Sequence, residues 1–253
     1  MPGVNIRACD RCDGRCCYNY TVLVTGYDAW LIASAQRLAL EQFLVQTAET
    51  KRTAAGFAID HTDATYAIAL SRREGPTERT PCIFLMQLPG GHGRCGIYPH
   101  RPAACRVFPA ELQKGSVAIR EDAVCPPGSW NIAAMDLPAW RMSLLRAHLE
   151  WAIYYLVVKR WNEAVAASPS GAVCSPLQYY AYLMNVYHGM EPARREVDET
   201  HMNAIVTGWA SSQRMPDGIP ADESAGAAMP PWRRYLDRIE AAVAASGVPI
   251  PAR

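Results

Sequence analysis

From Leu137 to about Ala167, apolar residues recur at Trp140, Leu144, Ala147, Trp151, Tyr155 and Val158. Steps of three and four are the spacing of one face of an α-helix. A second row at Leu145, Leu149, Ile153 and Leu156 widens that face and predicts a helix buried on most sides. Ser175 followed by Pro176 opens a further, tyrosine-rich helix, because a serine oxygen can accept an orphan N–H and proline suits the first turn. Gly189 predicts its end near His188, since glycine readily takes the left-handed backbone that stops helices. Residues 232–245 predict the last helix. Residues 191–230, crowded with Gly, Pro, Ser and Asp, read as extended loop or partly helical wrapping.

The first half carries shorter signals. Thr21-Val-Leu-Val-Thr25 is β-branched and bounded by Gly26, a strand pattern. Asp28 can cap a helix that starts near Ala29 and runs, with room for a break, to about Ala48. Residues 57–59 and 66–70 predict short strands around the turn-like His61-Thr-Asp-Ala64, and residues 116–120 another. Residues 81–109 are rich in Pro and Gly and predict mostly loop. The expected fold is α+β, mostly α. A loop-rich cysteine metal-binding domain with short strands occupies residues 1–128, and a helical region, residues 129–253, packs against it.

Composition narrows the class. The chain of 253 residues can bury a core without cross-links, and its net charge of +1 argues against a nucleic-acid groove or a polybasic membrane surface. Arginine outnumbers lysine 22 to 3, a bias that points to a GC-rich bacterial genome rather than to anion binding. The amino-terminal MPGVNIRACDRC has no apolar core of a secretory signal. The longest apolar candidate for a span is residues 151–158, far short of the roughly 18 residues required. These features predict a cytoplasmic protein with neither nucleic-acid nor membrane partners. Thiols stay reduced in that compartment, so clustered cysteines serve metals or catalysis rather than disulfides.

Eight of the nine cysteines lie in the first half: Cys9-x2-Cys12-x3-Cys16-Cys17, then Cys82, Cys95, Cys105 and Cys125. Two cysteines three apart can turn both sulfurs to one point through a tight knuckle, and Gly14 relieves the turn that follows. Soft thiolates favour zinc or iron–sulfur clusters over hard cations. Arg7, Arg11 and Arg15 interleave with the sulfurs and either favour the thiolate form or are solvated surface. Neighbouring side chains generally diverge, so the adjacent Cys16 and Cys17 are expected to serve two metals, two irons of one cluster, or one metal and one structural role. Zinc ribbons usually present two C-x2-C knuckles, and this chain has one. Cys9, Cys12 and Cys16 with the distant Cys125-Pro126 are closer to a ferredoxin arrangement. One or two iron–sulfur clusters are therefore favoured, with zinc the alternative.

The order C-x2-C-x3-C-C, then Pro81-Cys-Ile-Phe-Leu85, Arg94-Cys-Gly-Ile-Tyr-Pro99, Arg101-Pro102, Cys105-Arg-Val-Phe-Pro109 and Cys125-Pro126, resembles the YkgJ-like CxxCxxCC family, described as zinc- or iron-chelating. The resemblance spans about residues 8–128, with three residues rather than two before the paired cysteines. It implies ligands at Cys9, Cys12, Cys16, Cys17, Cys82, Cys95, Cys105 and Cys125. One class with such a cysteine domain, the flagellin lysine methylases, joins it to protein methylation. No dinucleotide fingerprint, Walker loop or HExxH motif accompanies it here.

Around the cysteines, Arg101 and Arg106 can donate to cluster sulfurs or to a substrate carboxylate, or form packing and surface ion pairs. Tyr98 and His100 join them as candidate substrate contacts, and His92 or His100 can replace a thiolate. Leu88-Pro-Gly-Gly-His-Gly93 reads as a hairpin turn leading into Cys95. The aromatic set Trp151, Tyr154, Tyr155, Tyr179, Tyr180, Tyr182 and Tyr187 reads chiefly as helix–helix core. Cys174 reads as a free thiol. The leading expectation is a metalloenzyme, an iron–sulfur-dependent oxidoreductase or transferase. Its small-molecule or peptide substrate is held between the cluster and the helical half. The alternatives are a non-catalytic zinc- or iron-binding module for partner binding or metal handling, and a protein lysine methylase.

Overall fold

The computed structural model describes residues 12–49, 56–73, 80–169, 171–213 and 229–249. Its architecture is α+β with helix predominating. The short helix α1 (Arg15–Asn19) follows Gly14, whose φ of 85° lies in the left-handed region. Helix α2 (Gly26–Gln36) begins with a capping box in which Thr25 Oγ1 accepts the Asp28 N–H and Asp28 accepts the Thr25 N–H. Thr25, not Asp28, is thus the cap. The expected continuation to Ala48 does not form, because Arg37 turns into the left-handed region. After a single 3-10 turn, residues 44–48 instead become strand β1 (Leu44–Ala48), antiparallel to β2 (Tyr66–Leu70).

The stretches 21–25 and 57–59 supply only isolated bridges, Leu23 to Ala69 and Phe57 to Tyr66. The first leaves the sheet to enter the Thr25 cap. The second is taken over by α4 (Leu137–Ala167), where the Trp161 indole donates to Ala58 O at 2.7 Å. Asn162 adds a pair of bonds there, accepting from Ala58 N and donating to Gly56 O. The section expected to be mostly loop contains the hairpin β3 (Leu85–Gln87)–β4 (Gly93–Cys95), with residues 88–92 as its turn, and the short helix α3 (Ala103–Val107). A third hairpin, β5 (Ala110–Gln113)–β6 (Ser116–Ile119), follows.

Helix α4 has the predicted bounds. Helix α5 (Pro176–Arg195) starts at the predicted Ser175 cap but runs through Gly189 and Pro192. Its last turns stay helical because Met190 and Ala193 are buried and Arg194 is anchored to Glu150 of α4. The loop expected over residues 191–230 includes α6 (Glu199–Gln213), and α7 (Pro231–Ala245) closes the chain's described part. The main core runs from α2, β1 and β2 through α4 and α5. At its centre, Phe57 stacks on Tyr179 at 3.9 Å and Tyr154 shares a hydroxyl hydrogen bond with Tyr179. No helix among the described residues is long and apolar enough to cross a membrane.

Candidate metal centre

The turn at residues 12–14 is built for a thiol ligand. Gly14 N–H donates to Cys12 Sγ at 3.4 Å, and Gly93 N–H donates to Cys12 O at 2.9 Å, docking the turn on β4. Cys16 and Cys17 occupy the first turn of α1, and their Sγ atoms stand 4.0 Å apart. The expectation that adjacent side chains diverge is corrected here. Cys17 N–H bonds back to Gly14 O, while its carbonyl accepts from Cys82 N. That arrangement turns the pair into the same space and brings Cys82 alongside.

Cys95 closes β4 opposite Leu85, and Cys105 sits within α3. Helix α3 is positioned by Asp28, whose buried Oδ1 accepts the Ala103 N–H at 2.9 Å. The Cys125 loop is held by the Tyr20 hydroxyl, which bonds Asp122 O and accepts from Val124 N. Cys17, Cys82, Cys95, Cys105 and Cys125 all lie within electrostatic reach of Cys16. Cys12 lies within reach of Cys125. Cys9, Arg7 and Arg11 lie outside the described residues.

Residues 8–126 match the model of the CxxCxxCC family, whose description is a putative zinc- or iron-chelating domain. No curated protein and no solved structure matches the chain.

Within the matched stretch, the thiols have unequal protonation. Cys16 is lowered to about 7, chiefly because Cys17 hydrogen-bonds to it, and Arg101 helps. Cys17 is raised in turn by that same bond. Burial pushes Cys82, Cys95, Cys105 and Cys125 up. Of the Cys16–Cys17 pair, Cys16 is therefore the thiol that ionises first. A proton must leave each of the others as a metal enters. Among the described residues no three Cys, His, Asp or Glu side chains stand close enough to hold an ion as they are. The donor set nonetheless fits zinc or iron. It is all thiolate, and the 4.0 Å between Cys16 and Cys17 Sγ is close to the roughly 3.8 Å edge of a tetrahedron with bonds of about 2.3 Å.

Other predicted residues separate into those near the thiols and those apart from them. Arg101 lies within electrostatic range of Cys16, Cys95 and Cys105 and 3.8 Å over the Tyr98 ring. Arg106 faces the buried Asp28. His100 ends a 3-10 turn and His92 an exposed hairpin turn, and neither shares a hydrogen bond with a thiol among the described residues. Arg15 pairs with Asp13 on the surface.

Four residues that no spacing flagged help to assemble the domain. Asp28 and Tyr20 act as described above. Arg72 bonds Tyr18 O and Tyr20 O behind α1 while sitting beside Cys82. Trp130 stands near the Cys125 thiol and favours its charged form. The partners of Asp28, Tyr20 and Arg72 lie far away in sequence, so no local pattern announces them. A cavity of about 690 Å³, with no cysteine in its lining, opens between the 98–107 segment and the helices, lined by Tyr98, Arg101 and Arg106 on one side and Trp140, Arg146 and Glu150 of α4 on the other.

Proposed function

We propose that the protein is a metalloenzyme. Its metal is held by the thiols gathered on Cys16, and its small-molecule or peptide substrate enters the cavity between them and α4. The observation that carries this reading is Arg101, which lines the cavity and at the same time lies within electrostatic range of Cys16, Cys95 and Cys105. Cys16 and Cys17 with two of Cys82, Cys95 and Cys105 complete a four-thiolate set, and Cys12 and Cys125 extend it towards a second centre. Zinc or single iron bound there supplies a Lewis acid, and an iron–sulfur cluster supplies electron transfer. The close Cys16–Cys17 pair suits two ligands on one ion, either a lone zinc or iron or one iron of a two-iron cluster. A non-catalytic staple is favoured by the separate loops that bring the thiols together.

The test is anaerobic purification with metal and acid-labile sulfide analysis of wild type, Cys17→Ser and Cys174→Ser. Wild type and Cys174→Ser are expected to carry stoichiometric zinc or iron, and Cys17→Ser to lose most of it. Sulfide equal to iron would make the centre a cluster. Full metal retention by Cys17→Ser, or protein that takes up neither metal, would sink the reading. Metal removal that unfolds the chain would support the staple.

A further inference from the structure

The wall of the cavity carries four arginines, Arg101, Arg106, Arg146 and Arg194, against two carboxylates, Glu150 and Glu199. Both carboxylates are already engaged. Glu150 holds Arg194 through two parallel bonds of 2.7 and 2.8 Å, with both side chains largely buried. Glu199 meets Arg146 Nη2 at 2.7 Å from a solvent-exposed position, and Asn203 Oδ1 shares that nitrogen.

Arg101 and Arg106 form no ion pair at contact distance among the described residues. Arg106 has the buried Asp28 in electrostatic range, but that carboxylate is already bonded by Thr25 N, Thr25 Oγ1 and Ala103 N. The Nε atoms of Arg101 and Arg146 are buried with no hydrogen-bond acceptor. Those buried Nε atoms lie out of a ligand's reach, but Arg101 and Arg106, guanidinium groups without a carboxylate at contact distance on the lining of a cavity with surplus positive charge, are what a carboxylate or phosphate satisfies in a forked geometry. Much of the remaining wall is apolar, including Trp140, Met142 and Val206, with Ser143 and Asn203 between them, and the cavity's volume suits a small organic molecule.

We propose that this cavity binds a small organic anion, a carboxylate or phosphate monoester with an apolar body. Arg106 and Arg146 grip its head, and Arg101 stands between it and the thiols. The inference rests on the metalloenzyme reading only in making this anion the substrate class.

Full-length protein, both metal-loaded and chelator-treated, is titrated calorimetrically with benzoate, phenyl phosphate and the neutral benzyl alcohol. The expected result is saturable binding of at least one anion, with benzyl alcohol much weaker. Arg106→Gln and Arg146→Gln should each weaken it by about tenfold or more, while Arg233→Gln on the outer surface of α7 leaves it unchanged. Arg146→Lys replaces Arg146→Gln if the latter does not fold, and should weaken binding less because it keeps the charge but loses the fork. A preference between benzoate and phenyl phosphate identifies the head group. No binding of either anion, binding of benzyl alcohol as tight as theirs, or binding that the cavity variants leave unchanged overturns the proposal. Anion binding by protein that takes up no metal removes the metalloenzyme reading and leaves the anion site standing. Metal without anion binding does the reverse.

Discussion

At Gly93 the backbone of β4 comes so close to the Cys12 turn that an added Cβ would stand 2.5 Å from Asp13 O and 2.8 Å from Gly14 N. Both obstacles are backbone, so neither can swing away. At Gly14 the nearest atom is the flexible end of Leu85, and there the positive φ is the stronger demand for glycine. The close approach lets Gly93 N–H reach Cys12 O and sets the turn that leads into Cys16 and Cys17. Gly93→Ala is therefore expected to cost about 1–3 kcal/mol through forced backbone movement. It should also lower the metal retained, because the turn and α1 shift together. Thermal melting and metal analysis on one preparation check this. An unchanged melting temperature with full metal would show that the turn tolerates the displacement.

Helix α4 does more than bury an apolar face, because it replaces a strand partner. Trp161 and Asn162, adjacent on the helix, bond the backbone of residues 56–58 at 2.7 to 2.9 Å. Those groups would otherwise be left without partners where Phe57 and Ala58 are buried. Asn162→Ala leaves Ala58 N and Gly56 O unsatisfied, and is expected to destabilise by about 1–3 kcal/mol. Urea unfolding with an unchanged m-value measures it. Asn162→Asp should keep the bond from Ala58 N and lose the other, falling between. The same contact shows what the sequence could convey. The three-and-four spacing of α4 and the Ser175-Pro176 start of α5 are local, and both were legible. That residues 57–59 pair with side chains of a helix a hundred positions away was not. Nor was the choice of strand for residues 44–48, which depends on β2 as partner. The cysteines announced a metal site by density alone. Their convergence on Cys16 depends on Asp28, Arg72 and Tyr20, whose bonds span 52 to 102 residues.

The molecule has one main core that neither half completes. Ile32, Phe43, Phe57 and Ile68 from the first half are at most 1% exposed, as are Ile153, Trp161, Tyr179 and Tyr187 from the second. These side chains belong to a single cluster, in which Phe57 lies flat on Tyr179. Gly26, at the start of α2, has room for no side chain because the Tyr187 ring stands against it. Removing the helices would expose the apolar faces of α2, β1 and β2. At about 1.5–3 kcal/mol for each large side chain, four such residues forfeit on the order of 10 kcal/mol, comparable to the whole stability of a typical domain. Metal binding can return a similar amount, but the thiols tie α1 to Cys82, Cys95 and Cys105 and leave those faces uncovered. Residues 1–128 produced alone are therefore expected to lack a cooperative unfolding transition without metal. With zinc or ferrous iron they should gain protection from amide exchange around α1 and the β3–β4 hairpin but not in β1 and β2. Exchange protection spread evenly over the fragment would instead mean that the cysteine half holds its own core, with the helices serving only to close the cavity.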